Sequence, residues 1–202
     1  MWAAEKPDAW NGDLAVILAH GAGQGMNSPF MTFFQMTTAA RGFLSVKFNF
    51  DYMEAKRKIP DPQPKLQATY RRVIEEIRLE YNPRRFVIGG KSMGGRIASY
   101  VAGDINGVIG LVFLGYPLHP PGKSEQLRDE HLYNLNLPML FISGTRDNFA
   151  QRELLARVTA RIGKRAAVCW IEGGDHSLKT SRNDKESLQV VARMMVNWLS
   201  NL

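Results

Sequence analysis

The stretch Phe86-Val87-Ile88-Gly89-Gly90-Lys91-Ser92-Met93-Gly94 decides how this chain is read. It starts as a short apolar run, passes through two glycines and opens a helical pattern that reaches about Val101. A strand that turns at once into a helix around Gly-x-Ser-x-Gly lifts the serine hydroxyl above the sheet. There it sits at a helix N-terminus, where developing negative charge is favoured. The glycines permit the sharp turn and let the helix pack close on its strand. Ser92 is therefore a candidate nucleophile.

The rest of the chain fits the same layout. Apolar runs at residues 14–19, 43–48, 86–89, 108–114, 139–143 and 167–171 are mostly continuous rather than alternating. That is the pattern of strands covered on both faces. Helical stripes lie between them. Asn27-Ser28-Pro29 starts one, with a capping side chain and then proline at the first helical position. Leu66, Tyr70, Val73, Ile74 and Ile77 share one face, as do Leu154, Leu155 and Val158, and Leu188, Val191, Met195 and Trp198. Alternating strands and helices predict an α/β fold with a mostly parallel sheet of about six or seven strands, helices on both faces and right-handed crossovers. Residues 1–202 read as one domain.

In such a sheet ligands bind beyond the carboxyl ends of the strands. The loops to inspect are residues 20–28, 51–65, 90–92, 115–123, 144–150 and 173–182. Residues 51–65 contain three prolines, Pro60, Pro62 and Pro64, and read as one long loop over this face. A nucleophilic serine needs a base, and the base needs an orienting acid. Asp147, in Gly144-Thr145-Arg146-Asp147, and His176, in Gly173-Gly174-Asp175-His176-Ser177, each follow a predicted strand. The chain has four histidines, and only His176 comes after both the serine and the acid. Asp175 competes for the acid role, but neighbouring side chains in an extended loop diverge. Acyl transfer also needs an oxyanion hole. The backbone N–H of Met93 is one candidate donor and that of Ala22 the other, with Gly23 as an alternative, in the loop His20-Gly21-Ala22-Gly23-Gln24-Gly25. His20 reads as a brace for that loop.

Composition narrows the choices. Charged residues make up 22% and hydrophobic residues 45%, which excludes wholesale disorder. The single cysteine, Cys169, excludes an intrachain disulfide framework. The net charge of +7 comes from scattered basic residues without a nucleic-acid module, so no specific nucleic-acid partner is expected. Residues 1–13 have no apolar core of a signal peptide, and no apolar run approaches the roughly 18 residues of a membrane span. No membrane association and a cytoplasmic location are the expectation. Gly90-Lys91-Ser92 ends like a phosphate-binding loop, but Arg85 stands where its first glycine belongs. Gly21-Ala22-Gly23 fails as a dinucleotide fingerprint because Met26 occupies the third glycine's place. No His/Cys/Asp/Glu cluster has metal-ligand spacing, so neither metal nor cofactor is expected.

The motifs together resemble the α/β-hydrolases, in particular the compact dienelactone-hydrolase-like branch of small serine hydrolases. The resemblance rests on His20-Gly21-Ala22-Gly23, residues 26–31, residues 90–96, Gly115-Tyr116-Pro117 with residues 119–123, Gly144-Thr145-Arg146-Asp147 and Asp175-His176-Ser177. It runs from about Leu14 to the C-terminus. It implies a Ser92–Asp147–His176 triad and cleavage of small-molecule, ester-like substrates through an acyl-enzyme. Dienelactone hydrolases proper carry a cysteine where this chain has Ser92, and one or two leading antiparallel strands of the full fold are not seen in the sequence. A non-catalytic binding or scaffold protein on the same fold is the alternative. The connection from Gly115 to Leu137, with a helix expected around residues 124–133, is too short for a cap domain. An open site preferring short acyl groups follows, walled by residues 51–65 and 116–123. Asn27, Tyr52, Met53, Tyr116 and Phe149 are its candidate substrate contacts.

Overall fold

The computed structural model describes residues 1–180 and 184–202, with the side chains of 184 and 185 left aside, so the far end of the 173–182 loop lies outside the described residues. The predicted runs become strands β2 (Leu14–Ala19), β3 (Leu44–Phe48), β4 (Arg85–Lys91), β5 (Val108–Leu114), β6 (Met139–Gly144) and β7 (Ala166–Ile171). They form a parallel sheet in the order β3-β2-β4-β5-β6-β7. A seventh strand, β1 (Trp2–Glu5), adds antiparallel to β3 at the edge, so one leading antiparallel strand is present that the sequence does not reveal. Its sequence, Trp-Ala-Ala-Glu, is only half-buried and too short to alternate visibly, and its register comes from pairing with residues 45–48 of β3.

Helices cover both faces. On one side α3 (Gln63–Tyr81), α4 (Met93–Val101) and α6 (Arg152–Ile162) bury Tyr70, Ile74, Ile97, Leu155 and Val158 against Ile17, Phe86, Ile88 and Phe113. On the other, α1 (Pro29–Ala39) and α7 (Asp184–Leu199) bury Met31, Phe34, Val191 and Met195 against Val16, Leu18, Val87 and Ile142. β2, β4, β5 and β6 thus bury alternate apolar residues on opposite faces, which is why their sequences show no polar side. α1 starts as its sequence predicts: Pro29 is the first helical residue, and the Ser28 hydroxyl accepts from the Met31 N–H at 3.3 Å.

Two local readings change. Residues 51–65 are not one loop. Asp51–Glu54 forms a helical turn, α2, and Pro62 and Pro64 stand at the start of α3, where fixed φ and a missing donor cost nothing. Between β5 and β6 the only helix is the single turn α5 (Glu130–Tyr133), so the connection is even less cap-like than expected. Among the described residues no helix is long and apolar enough to cross a membrane.

Candidate active site

The sequence order of the strands reverses around β2, which lies between β3 and β4. The loops after β2 and β4 therefore leave in different directions and open a crevice at their carboxyl ends. Ser92 stands there, between β4 and α4. Its backbone is at φ 49° and ψ −116°, which a non-glycine residue holds only when its surroundings enforce it. The enforcement comes from packing. A Cβ at Gly94 would lie 2.3 Å from the Ala19 carbonyl oxygen, so only glycine lets α4 sit this close to β2. The Ser92 hydroxyl makes no capping bond to its helix. Instead Oγ lies 2.8 Å from Nε2 of His176.

The turns after β6 and β7 meet beside it. A Cβ at Gly144 would come within 2.1 Å of the Gly174 carbonyl oxygen, which shows how tightly the two turns press together. The Arg146 N–H donates to the Gly174 carbonyl at 2.9 Å, and the Gly173 N–H to Thr145 Oγ1 at 2.8 Å. This contact places the His176 Nδ1 at 2.9 and 2.8 Å from the two carboxylate oxygens of Asp147. Asp147 is buried, and its Oδ1 also accepts from the Phe149 N–H at 2.8 Å. An ionised carboxylate only accepts, so the ring proton sits on Nδ1 and Nε2 faces the serine hydroxyl as an acceptor. Asp175 does not reach the imidazole. Its Oδ1 accepts from the N–H groups of Ser177 at 2.8 Å and Lys179 at 3.1 Å, closing its own turn.

The loop after β2 is held from beneath by two buried side chains. His20 Nδ1 lies 2.6 Å from the Gly21 carbonyl oxygen, and its Nε2 accepts from the Phe50 N–H at 3.2 Å. Burial lowers its pKa, so the ring is neutral with its proton on Nδ1. Tyr52, whose pKa burial pushes up to about 12, donates its hydroxyl to the Ala22 carbonyl at 2.9 Å. In a trans peptide the N–H points opposite to the C=O. His20 therefore aims the Ala22 N–H, and Tyr52 aims the Gly23 N–H, away from the core. Met93 is the first residue of α4, so its N–H has no acceptor within the helix.

Ser92, His176 and the loop from His20 to Gln24 border a cavity of about 770 Å³. Phe149 lines it, with its ring centre 4.3 Å from that of His176. The other four proposed wall residues do not. Tyr52 and Tyr116 are fully buried, and the Tyr116 hydroxyl donates to the Arg128 carbonyl at 2.7 Å. Met53 packs half-buried against the core, and Asn27 is exposed just before the α1 cap. For Tyr52 and Met53 the difference has a physical source. Taking residues 51–65 as a loop put Tyr52 at the surface, whereas the turn of α2 directs it inward. The wall comes instead from Phe30, Met31 and Phe33 of α1 and from Leu188 and Gln189 of α7. A signal was present: α1 carries more aromatic rings than one buried face needs, and only Phe34 of the three is fully buried. Among the described residues no group of three His, Cys, Asp or Glu side chains could hold a metal ion.

Solved structures share this architecture. An alpha-beta serine hydrolase homologue from Coxiella burnetii superposes with a TM-score of 0.79 at 18% identity, over 98% of this chain and 90% of that one. An a/b serine hydrolase without lid from Xanthomonas campestris gives 0.73 at 16% identity, over 95% and 84%. The esterase domain of a Rhodothermus marinus protein gives 0.69 at 16%, over 96% and 90%. At such identities the likeness is one of fold. The sequence profile of the alpha/beta hydrolase domain is more specific and matches residues 12–201, and on that match the chain belongs to the alpha/beta hydrolase family.

Proposed function

We propose that this protein is a serine hydrolase that cleaves carboxylic esters through an acyl-enzyme on Ser92. The reading rests on one arrangement: Ser92 Oγ at 2.8 Å from His176 Nε2, with both Asp147 oxygens on the far ring nitrogen. In the cycle His176 takes the Ser92 proton as Oγ attacks the acyl carbon. The N–H groups of Met93 and Ala22 stabilise the oxyanion. His176 then protonates the leaving alcohol, and water, activated by the same ring, releases the acid. Asp147 fixes the tautomer and stabilises the imidazolium. The chemistry needs no metal or cofactor.

The cavity refines the substrate. Phe30, Phe33, Phe149 and Leu188 offer apolar wall, and a volume of about 770 Å³ is far more than an acetyl group fills. This replaces the expectation of short acyl groups. Specificity constants for p-nitrophenyl esters should rise from acetate to longer or aromatic acyl groups, because each buried methylene adds roughly 0.8 kcal/mol. Labelling by a fluorophosphonate tests the reading directly. Wild-type protein should be modified on Ser92, and a properly folded chain that stays unmodified would favour the scaffold alternative.

A further inference from the structure

Lys91 is the residue between Gly90 and Ser92, and it has no part in the cycle just described. It ends β4 and lines the cavity. Its Nζ donates a hydrogen bond to the main-chain carbonyl of His176 and lies 5.8 Å from the centre of the Phe30 ring. Gly115, at φ +71°, makes room for it: a Cβ there would stand 2.9 Å from Nζ and 2.8 Å from the same carbonyl oxygen. Burial of an ammonium costs stability, and a methionine of similar length would fill the space without that cost.

The sheet explains what the contact could do. Ser92 follows β4 and His176 follows β7, and β5 and β6 lie between them. With neighbouring strands about 4.8 Å apart, the two side chains are otherwise registered only across three strand spacings. Lys91 is adjacent to Ser92 in sequence and bonds the main chain of His176 directly. We infer that Lys91 is a positioning residue: its ammonium ties the His176 turn to the nucleophile's own turn and so holds the imidazole on Ser92 Oγ. The inference rests on the serine-hydrolase reading above.

The charge matters because an ionised donor makes the stronger bond. Burial lowers the Lys91 pKa to about 8, against the pull of Asp147 and Asp175, which favour the charged form. His20, His176 and Lys179 border the same cavity and are the other titratable groups along it. As pH rises through about 8 the ammonium becomes a weaker, neutral donor, and turnover should fall.

The test is Lys91→Met, assayed beside wild type with a neutral p-nitrophenyl ester and a fluorophosphonate. At pH 7 the variant should lose about tenfold to a hundredfold in kcat, the scale on which small misplacements act, with KM within about twofold. Its phosphonate labelling should slow by a similar factor. Its melting temperature should equal or exceed that of wild type, and the alkaline limb near pH 8 should disappear from its rate profile. Unchanged kcat and labelling in the variant would overturn the inference. So would a rise in KM alone, which would make Lys91 a substrate contact, or a lower melting temperature with the alkaline limb retained, which would make it packing. Wild-type protein that resists the phosphonate would instead remove the nucleophile assignment on which the inference stands.

Discussion

His20 and His176 sit at the carboxyl ends of strands in one sheet and border the same cavity, and both rings contact aromatic neighbours. Their partners differ. Both nitrogens of His20 are tied to backbone groups, the Gly21 carbonyl and the Phe50 N–H. Both nitrogens of His176 face side chains, the Asp147 carboxylate and the Ser92 hydroxyl. A ring held between backbone groups is buried and neutral and can only hold the loop. A ring between a carboxylate and a hydroxyl can accept a proton and be stabilised once charged. The same residue type thus serves as a brace in one place and as a proposed base in the other, and the partners decide which.

The sharpest way to break this contrast is to remove the group that only His176 serves. Ser92→Ala should lower turnover on the order of a millionfold with the melting temperature little changed, measured with a p-nitrophenyl ester. Near-normal turnover would end the reading of the elbow. Asp147→Asn should cost roughly ten-thousandfold, because an amide at that position supports the wrong tautomer. Asp175→Asn should cost about tenfold or less, since its carboxylate closes its own turn and does not bond the imidazole. A dead Asp175→Asn beside a healthy Asp147→Asn would exchange the two roles.

The contrast also marks how far the sequence could be read. The parallel strands were legible because burial on both faces leaves continuous apolar runs such as Leu14–Ala19 and Val108–Leu114. Ser92, Asp147 and His176 stood out because each follows a strand in an order that the fold constrains. What could not be read were features set by pairing and local turns. Trp2–Glu5 becomes a strand only because β3 offers an edge. Tyr52 turns inward only because Asp51–Glu54 winds into a helical turn. The cavity wall was missed for a related reason. Phe30 and Leu188 lie far apart in sequence, and Leu188 belongs to the apolar stripe of α7 yet borders the crevice.

A milder perturbation acts on the brace. His20→Gln keeps an acceptor near the Phe50 N–H but removes the donor to the Gly21 carbonyl. If the Ala22 N–H serves the oxyanion, kcat should fall about tenfold to a hundredfold, less than the loss of a donor outright. The variant also changes the acid limb of stability. The pKa of His20 is lowered by burial, and that of His131 is lowered to about 4, chiefly by burial and further by Arg96. Below about pH 6.5 the unfolded chain takes up protons that these folded rings do not, so stability falls as pH drops toward their lowered values. His20→Gln removes one of the two contributions. Its melting temperature should decline less steeply than that of wild type between pH 6.5 and 4. An unaltered slope would mean that His20 titrates alike in both states.

The smallest expected effect belongs to Tyr52, and it bears on which N–H meets the oxyanion. The Tyr52 hydroxyl holds the Ala22 carbonyl, and through that peptide it aims the N–H of Gly23. His20 holds the Gly21 carbonyl and aims the N–H of Ala22. The two braces therefore report on two different donors one residue apart. Tyr52→Phe keeps the buried ring and deletes only the hydroxyl that donates to the Ala22 carbonyl. The stability cost should stay near that of a single hydrogen bond, about 1 kcal/mol. With Ala22 as the donor, kcat should drop by no more than about threefold, because the His20-held peptide is untouched. A tenfold or larger loss in Tyr52→Phe, with His20→Gln close to wild type, would transfer the role to Gly23. Both variants, assayed on one ester at one pH, decide between the two adjacent peptides.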